Sequence, residues 1–209
     1  MVIVGKYRPI IQDTLKKFLT CDEFSKVEFV IQKVAQGTGH AVQCTLPNLK
    51  EIKDKKNCTN VILNGDTPLI KTSTIREAID SFISKGNNLL QITCTEFDDP
   101  SGLGRIIRNP QDNRFEKIVE DKDCTKEQLK VKLCNIGIYI ANIDTLVKYL
   151  PFIDNKNAQN EYYLTDLVEI TLSNKNDNMD KKIDLFEISK SKQLELVGIN
   201  TKEQLEEIK

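Results

Sequence analysis

The side chains best placed to do chemistry in this sequence are carboxylates, amides and glycines that follow short apolar runs. Asp66 comes directly after Val61-Ile62-Leu63 and the pair Asn64-Gly65. A carboxylate just past a buried strand sits at the carboxyl edge of a sheet, where open α/β folds bind ligands. Gly65 would let a ligand approach the backbone, and Asp66 could hold Mg²⁺ against phosphates. An ordinary turn uses the same residue types, and spacing alone favours the turn. Gln36-Gly37-Thr38-Gly39 could offer N–H groups and helix polarity to a base or phosphate; the plain start of a helix is the commoner use. His40 is the single histidine, and a packed or capping role is commoner for such a residue than catalysis. Gly102-Leu103-Gly104-Arg105 reads equally as a hairpin turn or a binding loop. Glu120 and Asn135 stand near strand ends, where each could meet sugar hydroxyls or simply occupy a turn.

Short β-branched runs alternating with helical patterns give an α/β reading for the elements that must position these groups. Strands are expected at Val2-Ile3-Val4, Val27–Ile31, Val61-Ile62-Leu63, residues 89–96 and Asn135–Ile140, and around Leu185–Ile188. Arg105–Arg108 and Phe115–Val119 should form a hairpin. Ile11, Leu15, Phe18 and Leu19 fall on one helical face, as do Ile75, Ala78, Ile79, Phe82 and Ile83. Thr74 and Glu77 have the spacing of a capping box for the second helix, and Thr125 and Gln128 for a short third one. Leu164, Leu167, Val168 and Thr171 mark another helix, and Asn200-Thr201 opens a last one. The polar stretch 173–182 reads as a solvated loop. With neither repeat nor linker, residues 1–209 form one domain.

Composition narrows the function. Thirty Lys and Arg against 31 Asp and Glu leave a net charge of −1, without the basic excess of proteins that live on nucleic acid. No apolar run approaches the roughly 18 residues that would span a bilayer. The first residues lack a signal peptide's apolar stretch. Six cysteines show no CxxC pair, so they read as reduced thiols of a cytoplasmic protein rather than disulfides or a zinc site.

Taken singly these motifs decide nothing; in order they do. QGTGHAV (36–42), LNGDTPLI (63–70), DPSGLGRIIRN (99–109), KIVEDKD (117–123), NIGIYIAN (135–142), NAQNEYYLTDL (157–167) and VGIN (197–200) together resemble one family, in its own order. That family is the N-acetylglucosamine-1-phosphate uridyltransferases, or UDP-N-acetylglucosamine pyrophosphorylases, in the form of the uridyltransferase domain of the bacterial bifunctional enzyme. The resemblance runs over essentially the whole chain.

It implies uridylyl transfer from UTP to N-acetylglucosamine 1-phosphate, giving UDP-N-acetylglucosamine and pyrophosphate. The implied fold is the Rossmann-like nucleotide-diphospho-sugar transferase fold, a mixed, mostly parallel sheet flanked by helices. By motif, Gln32, Gln36, Gly37 and Thr38 would hold uracil, with Asn64 and Gly65 at the nucleotide. Asp66 and Asn200 would coordinate Mg²⁺, and Gly104, Glu120 and Asn135 would bind the amino sugar. The family pattern opens with a strand and a glycine-rich loop, LAAGxGTRM, then a Pro-Lys. Met1 aligns with its second strand, so the first βα unit is expected to be missing and the catalytic residues stay unassigned. Asn64 stands where the bacterial enzyme often has an aromatic or small residue, and Ile136 replaces the usual Thr. The hexapeptide-repeat β-helix that carries acetyltransferase activity and forms the trimer has no counterpart, so no oligomer is implied. Two other functions fit the same motifs: a nucleotide-sugar binder without turnover, and a uridyltransferase for another sugar 1-phosphate.

Overall fold

The computed structural model describes residues 1–55, 58–86, 88–173, 183–199 and 201–207. β1 (Val2–Val4) and β2 (Phe29–Ile31) pair in parallel as a two-stranded ribbon, Val2 opposite Phe29. They are joined by α1 (Arg8–Phe18) and α2 (Cys21–Ser25). Along α1, Ile11 and Leu15 are half-buried, as is Leu19 just beyond it, whereas Phe18 is 81 % exposed, so the apolar face is narrower than its spacing suggests. α2 starts at a reciprocal cap: Thr20 Oγ1 accepts the Glu23 N–H, and the Glu23 carboxylate accepts the Thr20 N–H at 2.8 Å. β2 begins two residues later than expected, because Val27 closes the turn that ends α2.

The main sheet holds β3 (Thr59–Ile62), β4 (Leu90–Glu96), β5 (Arg105–Arg108), β6 (Phe115–Val119), β7 (Leu133–Asn142) and β8 (Ile183–Glu187), in the order β6-β5-β7-β4-β8 with β3 beside β7. The ten-residue β7 is its axis. β4 runs along one edge of β7, while β5 touches the start of the other edge and β3 its end. β3, β4, β5 and β8 share one direction, and β6 and β7 run against them. The sheet is therefore mixed with most strands aligned, although the ladders made by β7 are all antiparallel. The β5–β6 hairpin forms as its turn residues suggest.

Alternation along β7 builds the two layers. Tyr139 faces a core with Leu90 and Ile92, the helices α6 (Ile143–Tyr149) and α7 (Asp166–Ser173), and Leu164. Ile140 faces Ala78 and Phe82 of α5 (Thr72–Ser84) on the opposite side. α3 (Thr38–Gln43) and α4 (Leu46–Glu51) complete the first layer through Val42 and Leu49. α8 (Lys202–Glu207) follows at the C-terminal side. α4 and α6 carry no clear sequence signal, since helices of six or seven residues are too short to show a period. A cavity of about 370 Å³ lies between β1 and β3, lined by Ile3, Leu49, Val61 and Leu63, and the ribbon is not hydrogen-bonded to the main sheet.

Two details correct the sequence reading. α5 opens at Lys71 with no side-chain cap. Thr74, buried inside its first turn, donates instead to Glu195 Oε2 at 2.7 Å, and Glu77 pairs with Lys192. The tertiary partner Glu195, 124 residues from Lys71, takes the hydroxyl that a local box would have used. A 3-10 helix over Lys190–Leu196, which the sequence reading does not contain, lies between the last strand and the last helix. Most of the polar stretch 173–182, residues 174–182, lies outside the described residues. Thr125 and Gln128 do cap reciprocally, at 2.8 and 3.3 Å, before a single 3-10 turn. All six cysteines are free. Among the described residues no helix is long and apolar enough to cross a membrane.

Candidate active site

The chain leaves β3, β4 and β8 at one end of the sheet, and the segments that follow wall a cavity of about 260 Å³. Asn64, Asp66 and Thr67 come from beyond β3, Phe97 from beyond β4, and Leu196 and Gly198 from the segment after β8. This is the carboxyl edge where α/β sheets place ligands. Gly104 ahead of β5, Glu120 after β6 and Asn135 in β7 line the same space, with Thr38, Tyr139 and Thr165. Six of the residues singled out in the sequence thus meet in one cavity: Thr38, Asn64, Asp66, Gly104, Glu120 and Asn135.

Asp66 combines a fixed backbone with a free carboxylate. Its carbonyl accepts the Ile199 N–H at 2.7 Å, which fastens the end of the 195–199 segment beside it. Its Oδ1 is buried and has no hydrogen-bond partner. A buried acceptor left open in this way fits a hard cation. Asn200, expected to be the other metal ligand, lies outside the described residues. Among the described residues no group of three or more His, Cys, Asp or Glu side chains gathers into a metal site. Mg²⁺ commonly needs only one or two carboxylates, with phosphate oxygens and water completing the shell, so Asp66 alone suits it.

Glu120 is held from α7's side: Thr165 Oγ1 donates to its Oε1 at 2.9 Å. Burial raises the Glu120 pKa against the opposing pull of that hydroxyl, and Asp123 and Asp121 raise it further. Asp166, next to Thr165, is pushed up to about 6, first by burial and then by Asp154 and Glu120. Of these two carboxyl groups only Glu120 lines the cavity. Asn135 is tied on both sides, its N–H to the Gly104 carbonyl at 2.8 Å and its side chain to Gly137 and Tyr139. A Cβ on Gly104 would stand 3.0 Å from Ile118 Cγ2 and 3.4 Å from the Glu120 carboxylate, so those side chains would have to give by a few tenths of an ångström.

The glycine segment 36–39 docks on 162–164. Tyr162 N–H donates to Gln36 O at 2.8 Å, Gly39 N–H to Tyr162 O at 2.7 Å, and Leu164 N–H to Thr38 Oγ1 at 3.2 Å. The Gly39 N–H is therefore committed within the protein rather than open to a ligand. Gln32 Nε2 donates to Gly37 O at 3.1 Å and meets His40 Nδ1 at 3.0 Å. His40 also stacks against Tyr162 and approaches Cys44 Sγ, so it is a packed histidine. Gln32, Gln36 and Gly37 form the support of Thr38 rather than the cavity wall, and Gly65 lines the neighbouring cavity between β1 and β3.

Tyr139 and Thr165 are the site residues that sequence reasoning missed. Tyr139 reads as strand core, and Thr165 as a helix lead-in. The available signal was Gly137: a glycine inside a strand pattern often marks a bulge, and β4 advances from Ile92 to Cys94 while β7 passes from Tyr139 to Asn135.

The same arrangement of sheet and helices occurs in solved sugar nucleotidyltransferases. A UDP-glucose pyrophosphorylase complexed with UDP-glucose superposes with a TM-score of 0.55 at 18 % identity, over 81 % of this chain and 67 % of that one. An apo-UDP-glucose pyrophosphorylase gives 0.54 at 16 %, over 88 % and 71 %. The fold is that of the sugar-phosphate nucleotidyltransferases. No protein-family model matches the chain. A curated protein of Acanthamoeba polyphaga mimivirus, "Probable UDP-N-acetylglucosamine pyrophosphorylase", is 43 % identical over 208 residues, covering 100 % of this chain and 76 % of its own length. The bifunctional protein GlmU of Caldanaerobacter subterraneus subsp. tengcongensis is 40 % identical over 205 residues, and that of Clostridium perfringens (strain SM101) 34 % over 207. The chain spans about two fifths of these bacterial proteins, 40 % and 41 %. It belongs to the UDP-N-acetylglucosamine pyrophosphorylase family.

Proposed function

We propose that this chain forms the uridylyl-transfer site for UTP and N-acetylglucosamine 1-phosphate, releasing UDP-N-acetylglucosamine and pyrophosphate. The observation that carries the reading is the meeting, in one cavity at the sheet's carboxyl edge, of an open buried carboxylate oxygen on Asp66 with Gly104, Glu120 and Asn135. In the reaction, a phosphate oxygen of the sugar phosphate attacks the α-phosphorus of UTP. The bond from that phosphorus to the bridging oxygen breaks, and pyrophosphate leaves with the bonding pair. Little covalent chemistry falls to side chains in such transfers, which depend on positioning and charge. Two polyanions must approach, and the wall already holds the carboxyl groups of Asp66 and Glu120. Mg²⁺, held by Asp66 with Asn200, would supply the positive charge that offsets the phosphates.

Thr38 and Asn64 would face the uracil nucleotide, with Gln32, Gln36 and Gly37 supporting Thr38 from behind the cavity wall. Thr38 and Asn64 line the cavity, which supports that placement. Glu120, oriented by Thr165, and Asn135, oriented from both sides, suit the hydroxyl and acetamido groups of the sugar. The reading places the protein in the cytoplasm. The test is the Mg²⁺-dependent release of pyrophosphate from UTP with N-acetylglucosamine 1-phosphate. Preference for glucose 1-phosphate in a substrate panel would overturn the sugar assignment.

A further inference from the structure

The geometry of β7 singles out Tyr139, which lines the cavity although it is only 2 % exposed. Residues four apart in a regular strand lie about 13 Å from each other, too far for Asn135 to be tied to Tyr139 in the ordinary way. The two extra residues that β7 spends between its pairings with Ile92 and Cys94 shorten that distance, and Gly137, at φ +76°, supplies the turn. As a result Asn135 Nδ2 lies 2.9 Å from Tyr139 Oη.

The proton arrangement there is determined. Gly137 N–H donates to Asn135 Oδ1 at 3.1 Å. A backbone N–H must face an oxygen, so this contact settles which end of the amide is which. The amide nitrogen then points at Tyr139 as a donor, and Tyr139 Oη is the acceptor in that bond. The phenolic proton must lie elsewhere, and the described residues give it no acceptor. Burial and the charge of Glu120 keep the phenol protonated.

We propose that Tyr139 is a ligand-binding and positioning residue of the sugar side: it fixes the Asn135 amide and presents its own O–H to an acceptor oxygen of the bound sugar phosphate. This inference rests on the uridyltransferase reading above. The ligand it fits is an acceptor-rich group, such as an acetamido carbonyl or a sugar oxygen, rather than the nucleobase, whose expected contacts lie on the 36–38 segment.

Calorimetric titration with UDP-N-acetylglucosamine and, separately, with UMP tests it. Tyr139→Phe removes one ligand bond and one orienting bond. At roughly 0.5–1.5 kcal/mol each, the Kd for UDP-N-acetylglucosamine should rise about 5- to 150-fold while that for UMP stays within about twofold. A purely structural role would weaken both ligands alike, and that result, or an unchanged Kd for the sugar nucleotide, overturns the proposal. Asn135→Asp serves as the second variant, because the new carboxylate would draw the Tyr139 proton to itself. Adding Tyr139→Phe in that background should then cost less than about twofold, and a full independent loss would also overturn the proposal. Absence of UDP-N-acetylglucosamine binding by the unaltered protein would instead overturn the functional reading, and this proposal with it.

Discussion

Gly37→Ala is the substitution whose cost follows most directly from the structure. Gly37 has φ +102° and ψ 172°, a nearly glycine-only region that costs an L side chain about 1–3 kcal/mol. Its missing Cβ would stand 2.5 Å from the Tyr162 carbonyl oxygen and 3.0 Å from the Tyr162 nitrogen. Both are main-chain atoms, which cannot swing aside as the end of a side chain can. Relieving the clash means separating 36–39 from 162–164 at the point where Tyr162 N–H and Gly39 N–H bond across. Overpacking of this kind costs roughly 1–3 kcal/mol, so the sum is about 2–6 kcal/mol. For a chain of this size that is a fall in Tm of at least about 4 °C and up to about 20 °C. The urea midpoint should drop with an unchanged m value. Gly65→Ala is the matched control. Nothing lies within 4 Å of its Cβ position and its φ is ordinary, so the change should be neutral or stabilising by up to about 1 kcal/mol. If Gly37→Ala left stability unchanged, the docking of the glycine segment on 162–164 would be wrong, and with it the placement of Thr38 in the cavity.

Other expectations follow from the same geometry. Asp66→Asn should lower Mg²⁺-dependent turnover at least about 100-fold, with Tm nearly unchanged because Oδ1 has no protein partner to lose. Arg105 is buried, with its guanidinium on Asp121 at 2.8 Å and on the Leu103 carbonyl. Asp121→Ala should therefore cost about 2–3 kcal/mol in chemical denaturation, scaled down from a fully buried pair because Asp121 is itself one third exposed. The pKa of Asp166 is raised to about 6, so its contribution to stability is complete below about pH 4. That contribution is lost as pH rises through 6. Asp166→Asn should accordingly stabilise the protein at pH 7.5, by about 1 kcal/mol once solvent screening is allowed for, and do little at pH 4; melting curves at the two pH values check this. Iodoacetamide at pH 8 should label exposed Cys21 well before Cys94 and Cys134, whose thiols burial pushes up to about 12 and about 11.

Local pattern and ordered motifs make much of this molecule legible in its sequence. The alternation of strands and helices, the β5–β6 hairpin and the buried face of α7 depend on neighbours in sequence, and they read correctly. Asp66, Glu120 and Asn135 stood out because each follows or opens a strand, which places it at the sheet edge. What was hidden depends on distant partners. Thr74 looks like half of a capping box until Glu195 arrives from the other end of the chain. Gly37 and Gly39 read as the start of a helix or as a turn for a base or phosphate, yet their smallness serves Tyr162. Tyr139 reads as core because the bulge at Gly137, which brings it to Asn135, involves a strand pairing that no local window contains.

The most direct test of the central claim is a single assay of this chain with UTP, N-acetylglucosamine 1-phosphate and Mg²⁺, following pyrophosphate and UDP-N-acetylglucosamine together. The account predicts equimolar appearance of both, abolished by Asp66→Asn and weak with glucose 1-phosphate. Tight binding of UDP-N-acetylglucosamine with no pyrophosphate released would contradict it, and the cavity would then be a sugar-nucleotide binding site without turnover.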